Sequence, residues 1–321
     1  MDALSDVLKS VHLEGAVYLN AEFTAPWSMR GKYGMASVRA RLAGAEHVVF
    51  FHYLTEGRCK VKLAEGVQVM DVTAGDLVLF PQDDRHLMGS DLHAPPLEAD
   101  NLTRSDEIPD DLVQLRHGGG GGVTRFVCGY LACSRSTIRP LLDGLPRVLR
   151  IPIGDGQAST LLRELLRVGV RESIDPRPGG ASTLAKLAEL MFVEALRRYV
   201  EMLPPGGKGW LAGLRDPQIG RALALIHREP GRAWTVEQLA REVALSRSAL
   251  AERFATLVGE SPIQYLMRWR LAVAAQMLRS GRDAVTRVAE RSGYDSEAAF
   301  SRAFKREFGM PPTVWRKAGA A

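Results

Sequence analysis

Apolar residues follow two different periods along this chain, and the change of period divides it. Between residues 15 and 90, short segments rich in Val, Phe and Leu follow one another, and glycine-containing turns separate several of them. Because no helical segment lies between these strands, the pattern predicts an antiparallel sandwich or barrel. From about Ser159 onward apolar residues recur three and four positions apart, which is the period of an amphipathic helix.

The strand-rich part is predicted to form one domain over residues 1–150. A polar, proline-containing stretch that ends in five glycines interrupts it, and this composition predicts a mobile loop at 91–122. Residues 151–203 are predicted to form a helical dimerisation segment. One apolar stripe on its second helix is suited equally to packing on the sheet and to joining two chains, and it comprises Leu184, Leu187, Met191 and Leu196.

The last third of the chain repeats one helical pattern. A linker rich in proline and glycine covers 204–215, and residues 216–321 then contain the pattern twice, at 235–258 and at 285–308. In each copy a short amphipathic helix and a turn precede a serine cap and a second helix. Two short helices joined by a tight turn are typical of a helix-turn-helix unit, so the sequence predicts two such units in tandem.

The serine caps define the outer face of each second helix. Ser246 caps the first, in which Leu250 and Phe254 point inward, and Ser296 caps the second, in which Phe300 takes the inward position. The cap serines and the outward positions are predicted to face DNA, and the outward positions are Arg247, Ser248, Ala251 and Glu252 in the first unit and Glu297, Ala298, Ser301, Arg302 and Lys305 in the second.

Charge favours a nucleic acid as the partner of this C-terminal part. Residues 216–321 hold 17 Lys and Arg against 11 Asp and Glu, a net charge of +6, and the remainder of the chain has a net charge of −1. A basic excess that is confined to the helical third is typical of a domain that binds a polyanion.

Two segments of this third match a known type of DNA-binding domain. SRSALAERF in the first unit, and SGYDSEAAFSRAFKREFG followed by MPPTVWR in the second, resemble the DNA-binding domain of AraC/XylS-type transcription regulators. The resemblance implies that bases are contacted from Ser248, Ala251 and Glu252, and from the second-unit residues Glu297, Ala298, Ser301 and Arg302.

The segment GDLVLFPQDDRH, residues 75–86, is the most distinctive part of the strand-rich domain. Its spacing G-x5-P-x-D-x2-H resembles the second motif of cupin barrels, in which a glycine stands at the position of Asp83. The resemblance implies a cupin-like barrel and a metal-ligand position at His86.

His52 and Cys128 are the further candidate ligands. His52 shares a strand face with Phe50 and Leu54, and Cys128 lies on a later apolar strand. Two imidazoles and a thiolate suit Zn²⁺ or another transition metal, so His52, His86 and Cys128 are predicted to form a metal site. In the alternative interpretation His86 hydrogen-bonds a neighbouring aspartate and Cys128 is a buried apolar residue.

The cysteines also allow a redox interpretation. Three cysteines are too few for a disulfide framework, and the chain lacks both a run of 18 apolar residues and a signal-peptide pattern, so we expect a cytoplasmic protein. MDALSDVL, GDLVLFPQ-x3-H and VCG resemble the AraC-type regulators with a cupin-like N-terminal domain, a branch that includes regulators responding to reactive chlorine by cysteine oxidation. Cys128 and Cys133 form the corresponding candidate redox pair.

The sequence thus predicts an α+β multidomain protein, with a cupin-like antiparallel β-barrel and an all-α tandem helix-turn-helix domain. We expect a non-enzymatic, sequence-specific transcription regulator that binds double-stranded DNA as a homodimer and works with RNA polymerase. Its barrel is expected to sense a small molecule, a metal or an oxidant. Two alternatives remain open: a cupin-type metal-dependent enzyme joined to a DNA-binding domain, and a DNA-binding architectural protein without a sensor.

Overall fold

The computed structural model describes residues 3–10, 13–31, 46–98, 113–133, 135–153, 160, 163–164, 167, 178–204, 206–281 and 283–318. The chain forms two compact units. The sheet unit consists of Leu13–Cys133 and Leu145–Glu201, and the helical unit consists of Met1–His12, Ser134–Gly144 and Met202–Ala321. Nowhere in the described ranges is a helix both long enough and apolar enough to cross a membrane.

The described strands and helices are numbered along the chain. The strands are β1 (Glu14–Thr24), β2 (Ser28–Gly31), β3 (His47–Glu56), β4 (Arg58–Leu63), β5 (Met70–Thr73), β6 (Asp76–Phe80), β7 (His86–Gly89), β8 (Leu97–Glu98), β9 (Val113–Gly118), β10 (Val123–Cys133) and β11 (Leu149–Pro152). The helices are α1 (Ala3–Ser10), α2 (Arg135–Leu142), α3 (Gly180–Met202), α4 (Trp210–Arg215), α5 (Pro217–Arg228), α6 (Val236–Glu242), α7 (Arg247–Val258), α8 (Pro262–Ser280), α9 (Val285–Arg291), α10 (Glu297–Phe308) and α11 (Pro312–Ala318).

The strands of the sheet unit form two sheets around one apolar core. One sheet has the order β11-β6-β3-β10-β1-β9 and the other the order β5-β4-β7-β2-β8. Alternate side chains of both sheets fill the space between them, as expected for a two-layer β fold, and they include Leu19, Phe23, Met29, Val61, Met88 and Phe126. The predicted sheet-rich N-terminal region and helical C-terminal region are confirmed.

Two described strand pairs are parallel, which the antiparallel prediction did not include. β9 runs parallel to β1 and β8 runs parallel to β2. β9 lies inside the segment predicted to be a mobile loop at 91–122, so that prediction is wrong for residues 113–118. The backbone groups of this polar segment are satisfied by pairing with β1, which its composition did not reveal. Residues 99–112 of the predicted loop lie outside the described residues.

The five glycines form an ordered turn rather than a loose tether. Gly119 donates its backbone N–H to the carbonyl oxygen of Thr24 at 2.9 Å, and Gly121 donates to that of Ala25 at 2.9 Å. A Cβ atom at Gly118 would lie 2.0 Å from the Thr24 carbonyl oxygen, and its φ of +136° is disfavoured for residues with a side chain. Glycine is therefore needed for this close approach of two backbone segments.

The apolar stripe of α3 is buried within the chain. Leu184, Leu187, Met191 and Leu196 are each at most 6% exposed. On β1, Gly15 lies so close to the helix that a Cβ atom there would be 2.9 Å from the Cβ of Ala188. Packing on the sheet is thus one role of the stripe, and dimerisation through 151–203 stays a prediction. Much of the helix predicted from Ser159 lies outside the described residues.

The helical unit includes two segments that the predicted domain limits assigned elsewhere. The N-terminal helix α1 packs on α5, and α2 packs on α8. Both were placed in a domain over residues 1–150, because their amphipathic patterns identify a helix but not its packing partner. The serine caps are confirmed, since the Ser246 hydroxyl accepts from the Ala249 N–H and the Ser296 hydroxyl accepts from the Ala299 N–H, each at 3.2 Å.

Candidate nucleic-acid interface and sensing site

The second helices of the two predicted helix-turn-helix units, α7 and α10, each have a buried and an exposed face. Leu250 and Phe254 on α7, and Phe300 and Phe304 on α10, are fully buried. The predicted DNA-facing residues lie on the other side. Ser246, Arg247, Ser248, Glu252, Ser296, Glu297, Ala298, Arg302 and Lys305 are exposed, and Ala251 and Ser301 are half-buried. The two units therefore present short polar faces of the kind that enter a major groove.

Two of the outward side chains are held by the first helix of their own unit. On α7, Nε of Arg247 lies 2.8 Å from a carboxylate oxygen of Glu237 on α6. On α10, Glu297 accepts a hydrogen bond of 2.5 Å from the Thr286 hydroxyl on α9. Because both pairs are exposed, they position the side chains more than they stabilise the fold.

A buried arginine on α8 joins the two helix-turn-helix units. The guanidinium of Arg270 donates to the carbonyl oxygens of Pro230 at 2.7 Å and Arg232 at 2.8 Å, which precede the first unit, and to that of Gly293 at 3.1 Å. Gly293 lies in the turn of the second unit. Arg270 thus fixes the second unit relative to the segment that leads into the first. Sequence reasoning missed it, although an arginine within the apolar helix RWRLAV was a usable signal.

A second buried polar network surrounds His227 on α5. Its Nε2 lies 2.6 Å from the Tyr265 hydroxyl, which also accepts from the Trp210 indole N–H at 2.8 Å. Its ring stacks on Trp269 at a centroid distance of 4.1 Å. Burial lowers the pKa of His227 to about 3, and its bond to the Ala3 carbonyl oxygen partly opposes this. No role for this histidine follows from the sequence, because its partners come from three other helices, α1, α4 and α8.

In the sheet unit the three predicted ligand residues do come together. His52 on β3 lies opposite Cys128 on β10, and its Nδ1 is 2.7 Å from the Cys128 Sγ. Its Nε2 is 2.9 Å from Nε2 of His86, whose Nδ1 lies 2.9 Å from the Asp84 carbonyl oxygen. Each of the three side chains is at most 2% exposed. They form a continuous chain of hydrogen bonds inside the barrel, which we call the Cys128–His52–His86 network.

Burial makes both imidazoles of the network neutral. The pKa of His52 is lowered well below its usual value, first by burial and then by His86. Burial lowers the pKa of His86 to about 4, while the hydrogen bond to the Asp84 carbonyl and the charge of Asp84 act in the opposite direction. An imidazolium at either position would have to be buried among apolar side chains, which is costly.

Neutral rings fix the direction of every hydrogen bond in the network. The Asp84 carbonyl oxygen only accepts, so His86 donates to it from Nδ1 and accepts at Nε2. His52 therefore donates from Nε2 to His86 and accepts at Nδ1 from the Cys128 thiol. The thiol proton points at a base in the resting arrangement.

This geometry does not form a three-ligand metal site. Cys128 and His86 lie against opposite ring nitrogens of His52, so the three donor atoms do not surround one point. Across the part of the chain that the structure describes, no three His, Cys, Asp or Glu side chains are grouped so as to hold a metal ion. Zinc binding by His52, His86 and Cys128 stays a prediction, and it requires these side chains to rearrange.

The GDLVLFPQDDRH segment places His86 through two tight backbone features. Asp83, at the position of the cupin-motif glycine, has φ of +53°, a left-handed conformation that Asp tolerates better than most residues. His47 donates from Nε2 to the Pro81 carbonyl oxygen at 2.6 Å, which anchors the proline corner. On β2, a Cβ atom at Gly31 would lie 2.6 Å from the His86 Nε2, so the ring occupies space that only glycine leaves.

The second candidate redox residue, Cys133, lies apart from this network. Its Sγ is 3.8 Å from the His47 carbonyl oxygen, whereas Cys128 faces His52. Burial, with a smaller effect of Glu46, raises the pKa of the Cys133 thiol to about 12. The cysteines Cys59, Cys128 and Cys133 form no disulfide in this structure. A Cys128–Cys133 disulfide would need β10 to bend, since an odd separation places the two side chains on opposite faces.

Comparisons with known proteins agree with both halves of this geometry. A family model described as "Cupin" matches residues 2–201, and one described as "Helix-turn-helix domain" matches residues 239–318. A putative AraC-like transcription regulator of Streptomyces lividans is 34% identical over 99% of this chain and 98% of its own length. The chain belongs to the AraC-type transcription regulators with a cupin N-terminal domain.

Two further relatives cover nearly the whole chain. The HTH-type transcriptional regulator AlkR of Acinetobacter baylyi is 31% identical over 99% of each chain. The RCS-specific HTH-type transcriptional activator RclR of Escherichia coli is 29% identical over 99% of each chain. All three relatives are named as transcription regulators, and the predicted family, function class and DNA-binding activity of this AraC-type chain are confirmed.

Proposed function

We propose that this AraC-type regulator reads DNA bases through α7 and α10 and changes its DNA binding when the Cys128–His52–His86 network is altered. One observation carries the sensing half. The Cys128 thiol donates a buried hydrogen bond to the neutral imidazole of His52. Any reaction that replaces the thiol proton must break this hydrogen bond. Leaving buried polar groups without partners costs about 1–3 kcal/mol each, enough to shift a conformational equilibrium.

An oxidant is the effector class that this arrangement favours. The RclR relative is named as specific for RCS, and Cys128 offers a thiol to such a reagent. Hypochlorous acid would oxidise the thiol to a sulfenic acid and be reduced to chloride, RSH + HOCl → RSOH + HCl. His52 accepts the thiol proton as the sulfur reacts, and the added oxygen then occupies space beside the ring.

The other assignments of the protein follow from this role. We propose that it works in the cytoplasm as a homodimer, contacts RNA polymerase at the promoter and catalyses no reaction. Two helix-turn-helix units in each chain would give a dimer four recognition helices along one face of DNA.

The test measures binding of the full-length protein to a fluorescent duplex from its own promoter region. We expect affinity to fall steeply with salt, because phosphate contacts release counterions. Stoichiometric hypochlorite should change the affinity of the wild type at least about threefold and should leave Cys128→Ala unchanged. Cys133→Ala is the matched control, as it removes another buried thiol of the same strand and should respond like the wild type.

Two results would contradict the proposal at different points. Salt-independent binding, or none, would remove the DNA-reading role of α7 and α10. An oxidant response that persists in Cys128→Ala would remove the network as the sensor while leaving DNA binding intact. Zinc in place of hypochlorite distinguishes a metal effector, which would act on Cys128 without forming a sulfenic acid.

A further inference from the structure

We propose that Glu297 reads a cytosine in the major groove and that Thr286 holds the Glu297 carboxylate in place for this contact. Both assignments rest on the proposed DNA-reading role of α10, to which they add a base and a positioning residue. Glu297 is exposed and is the first residue of α10, directly after the cap Ser296. It therefore lies at the N-terminal end of the helix, where a helix-turn-helix contacts base edges.

The carboxylate of Glu297 can only accept hydrogen bonds, which limits the bases that it can read. The donors in the major groove are the amino groups of cytosine, at N4, and of adenine, at N6. Adenine presents its N7 acceptor beside N6 and so repels a carboxylate oxygen, whereas cytosine has no acceptor beside N4 on the same base. Glutamate is therefore suited to cytosine, and glutamine, which both donates and accepts, is suited to adenine.

Glu297 is also the only acidic residue among the predicted DNA-facing positions of the second unit. Arg302 and Lys305, further along the same helix, are exposed and basic, as expected for contacts to phosphate or guanine. DNA phosphates repel a carboxylate between these cations, so Glu297 lowers the affinity wherever no base donates to it. Such a residue contributes by discriminating between bases rather than by raising the overall affinity.

The Thr286 hydroxyl on α9 makes the Glu297 side chain a pre-formed acceptor. It donates to Oε2 of Glu297 at 2.5 Å. Within the described residues no other side chain hydrogen-bonds or ion-pairs with this carboxylate, so Oε1 can accept from a base. A long side chain that is already held in place loses less rotamer freedom when it binds, and the direction of its carboxylate is fixed beforehand.

The first unit repeats this arrangement with the opposite charge. Arg247 is the first residue of α7, and its Nε lies 2.8 Å from a carboxylate oxygen of Glu237 on α6. In both units the preceding helix thus holds the first side chain of the recognition helix, although the bonded groups differ. What the two units share is the placement of this side chain, which is the property that base recognition requires.

Selection of bound sequences from a randomised duplex library tests the base assignment on the full-length protein. We expect the wild-type motif to contain a cytosine that Glu297→Gln replaces with adenine, while the other positions stay the same. On duplexes that differ only at this base pair, the wild type should prefer cytosine at least about fivefold, and Glu297→Gln should reverse the preference. Glu290→Gln is the matched control, since it removes an exposed carboxylate of α9 and should select the wild-type motif.

Variants of Thr286 test the positioning role separately. Thr286→Val keeps the shape of the side chain but removes the donor, so its preference for cytosine over adenine should fall about threefold or more. Thr286→Ser keeps a hydroxyl group and should retain the wild-type preference. A role confined to joining α9 to α10 would change the free energy of unfolding, measured by urea denaturation, without changing the ratio of the affinities for the two bases.

The possible results separate a wrong base assignment from a wrong function. If the wild type selects no sequence, α10 does not read bases, and the proposed function fails together with both assignments. A motif that Glu297→Gln leaves unchanged, or in which the altered position is not a cytosine, overturns the assignment of Glu297 and leaves DNA reading intact. An unchanged preference in folded Thr286→Val overturns the positioning role of Thr286.

Discussion

A single left-handed residue ends the first helix of each helix-turn-helix unit. In the first unit it is Ala244, with φ of +55°, and in the second it is Gly293, with φ of +76°. The hydrogen bonds around the two residues match, because the following N–H returns to the helix in both cases, Leu245 to Ala240 at 2.9 Å and Tyr294 to Ala289 at 3.0 Å. The same backbone motif is therefore built once with alanine, which has a Cβ, and once with glycine.

Exchanging these residue types should change stability in opposite directions. Ala244→Gly relieves the left-handed strain and should raise the free energy of unfolding by up to about 1 kcal/mol, after subtraction of the entropy that glycine adds to the unfolded chain. Gly293→Ala should lower it by about 2 kcal/mol or more, because its Cβ would lie 2.7 Å from the Arg270 guanidinium. Urea denaturation followed by circular dichroism measures both, and two changes of the same sign would contradict the argument.

At the scale of elements, α8 connects the two helix-turn-helix units through Arg270 as well as through its apolar packing. The guanidinium donates to three carbonyl oxygens. Those of Pro230 and Arg232 lie in the segment before the first unit, and that of Gly293 lies in the turn of the second unit. Two recognition helices can occupy successive major grooves only at a fixed separation of about 34 Å, so the rigidity of this connection serves DNA binding.

Arg270→Met should weaken the protein in two measurable ways. It leaves buried carbonyl groups without donors, which should lower the free energy of unfolding by about 2–4 kcal/mol. It should also weaken binding to promoter DNA under conditions where the variant is fully folded. Arg268→Met, two residues away on the same helix, removes a half-buried ion pair with Glu260 and a contact over the Tyr265 ring, and as the control it should stay within about 1 kcal/mol of the wild type. Equal decreases of the free energy of unfolding and of DNA affinity in the two variants would contradict a connecting role for Arg270.

The sequence predicted best the elements whose signals are local. The caps Ser246 and Ser296 and the inward Phe254 and Phe300 follow from positions a few residues apart, and the helices α7 and α10 begin directly after these two serines. It failed where a segment takes its structure from a distant partner. β9 is polar and becomes a strand only beside β1, and the role of Arg270 depends on carbonyl groups 23 to 40 residues away.

Prediction of the candidate sensing site from the sequence was limited in the same way. His86 was predicted from a motif, His52 from strand alternation and Cys128 from its place on a later apolar strand, so the membership of the network was predictable. Its linear geometry was not, because the register that places Cys128 beside His52 is set by pairing between β3 and β10. The same three residues could form a metal site or a hydrogen-bonded chain. Which of these forms depends on how the three side chains are oriented relative to one another.

At the scale of the whole molecule, the chain passes between the two units directly after β10 and directly before β1. Cys128 lies on β10, which ends at Cys133, and α2 of the helical unit begins at Arg135. β1 pairs with β10 from Glu14 onward, and α1 of the helical unit ends at Ser10, just before it. Two neighbouring strands of the sheet are therefore continuous with two helices of the other unit.

Lengthening one of these connections should separate sensing from DNA binding. An insertion of Gly-Ser-Gly-Ser after Cys133 should leave the DNA affinity of the unmodified protein within about threefold, and should reduce the change in affinity caused by hypochlorite, because a flexible linker transmits little displacement. The same insertion after Gly206, in the linker predicted at 204–215, is the control and should preserve the response. The opposite result would place the coupling in the linker instead: the hypochlorite response would be lost with the insertion after Gly206 and retained with the insertion after Cys133.

The position of α1 and α2 also limits how this protein can be rearranged by recombination. A gene fragment that starts at the linker encodes both helix-turn-helix units but omits two helices that pack on α5 and α8. Exchange of C-terminal segments between relatives at that point would pair one parent's α1 and α2 with another parent's α5 and α8. The helical unit is thus encoded by three separate parts of the gene. Chimeras should fold best when residues 1–12 and 134–144 come from the same parent as the C-terminal third.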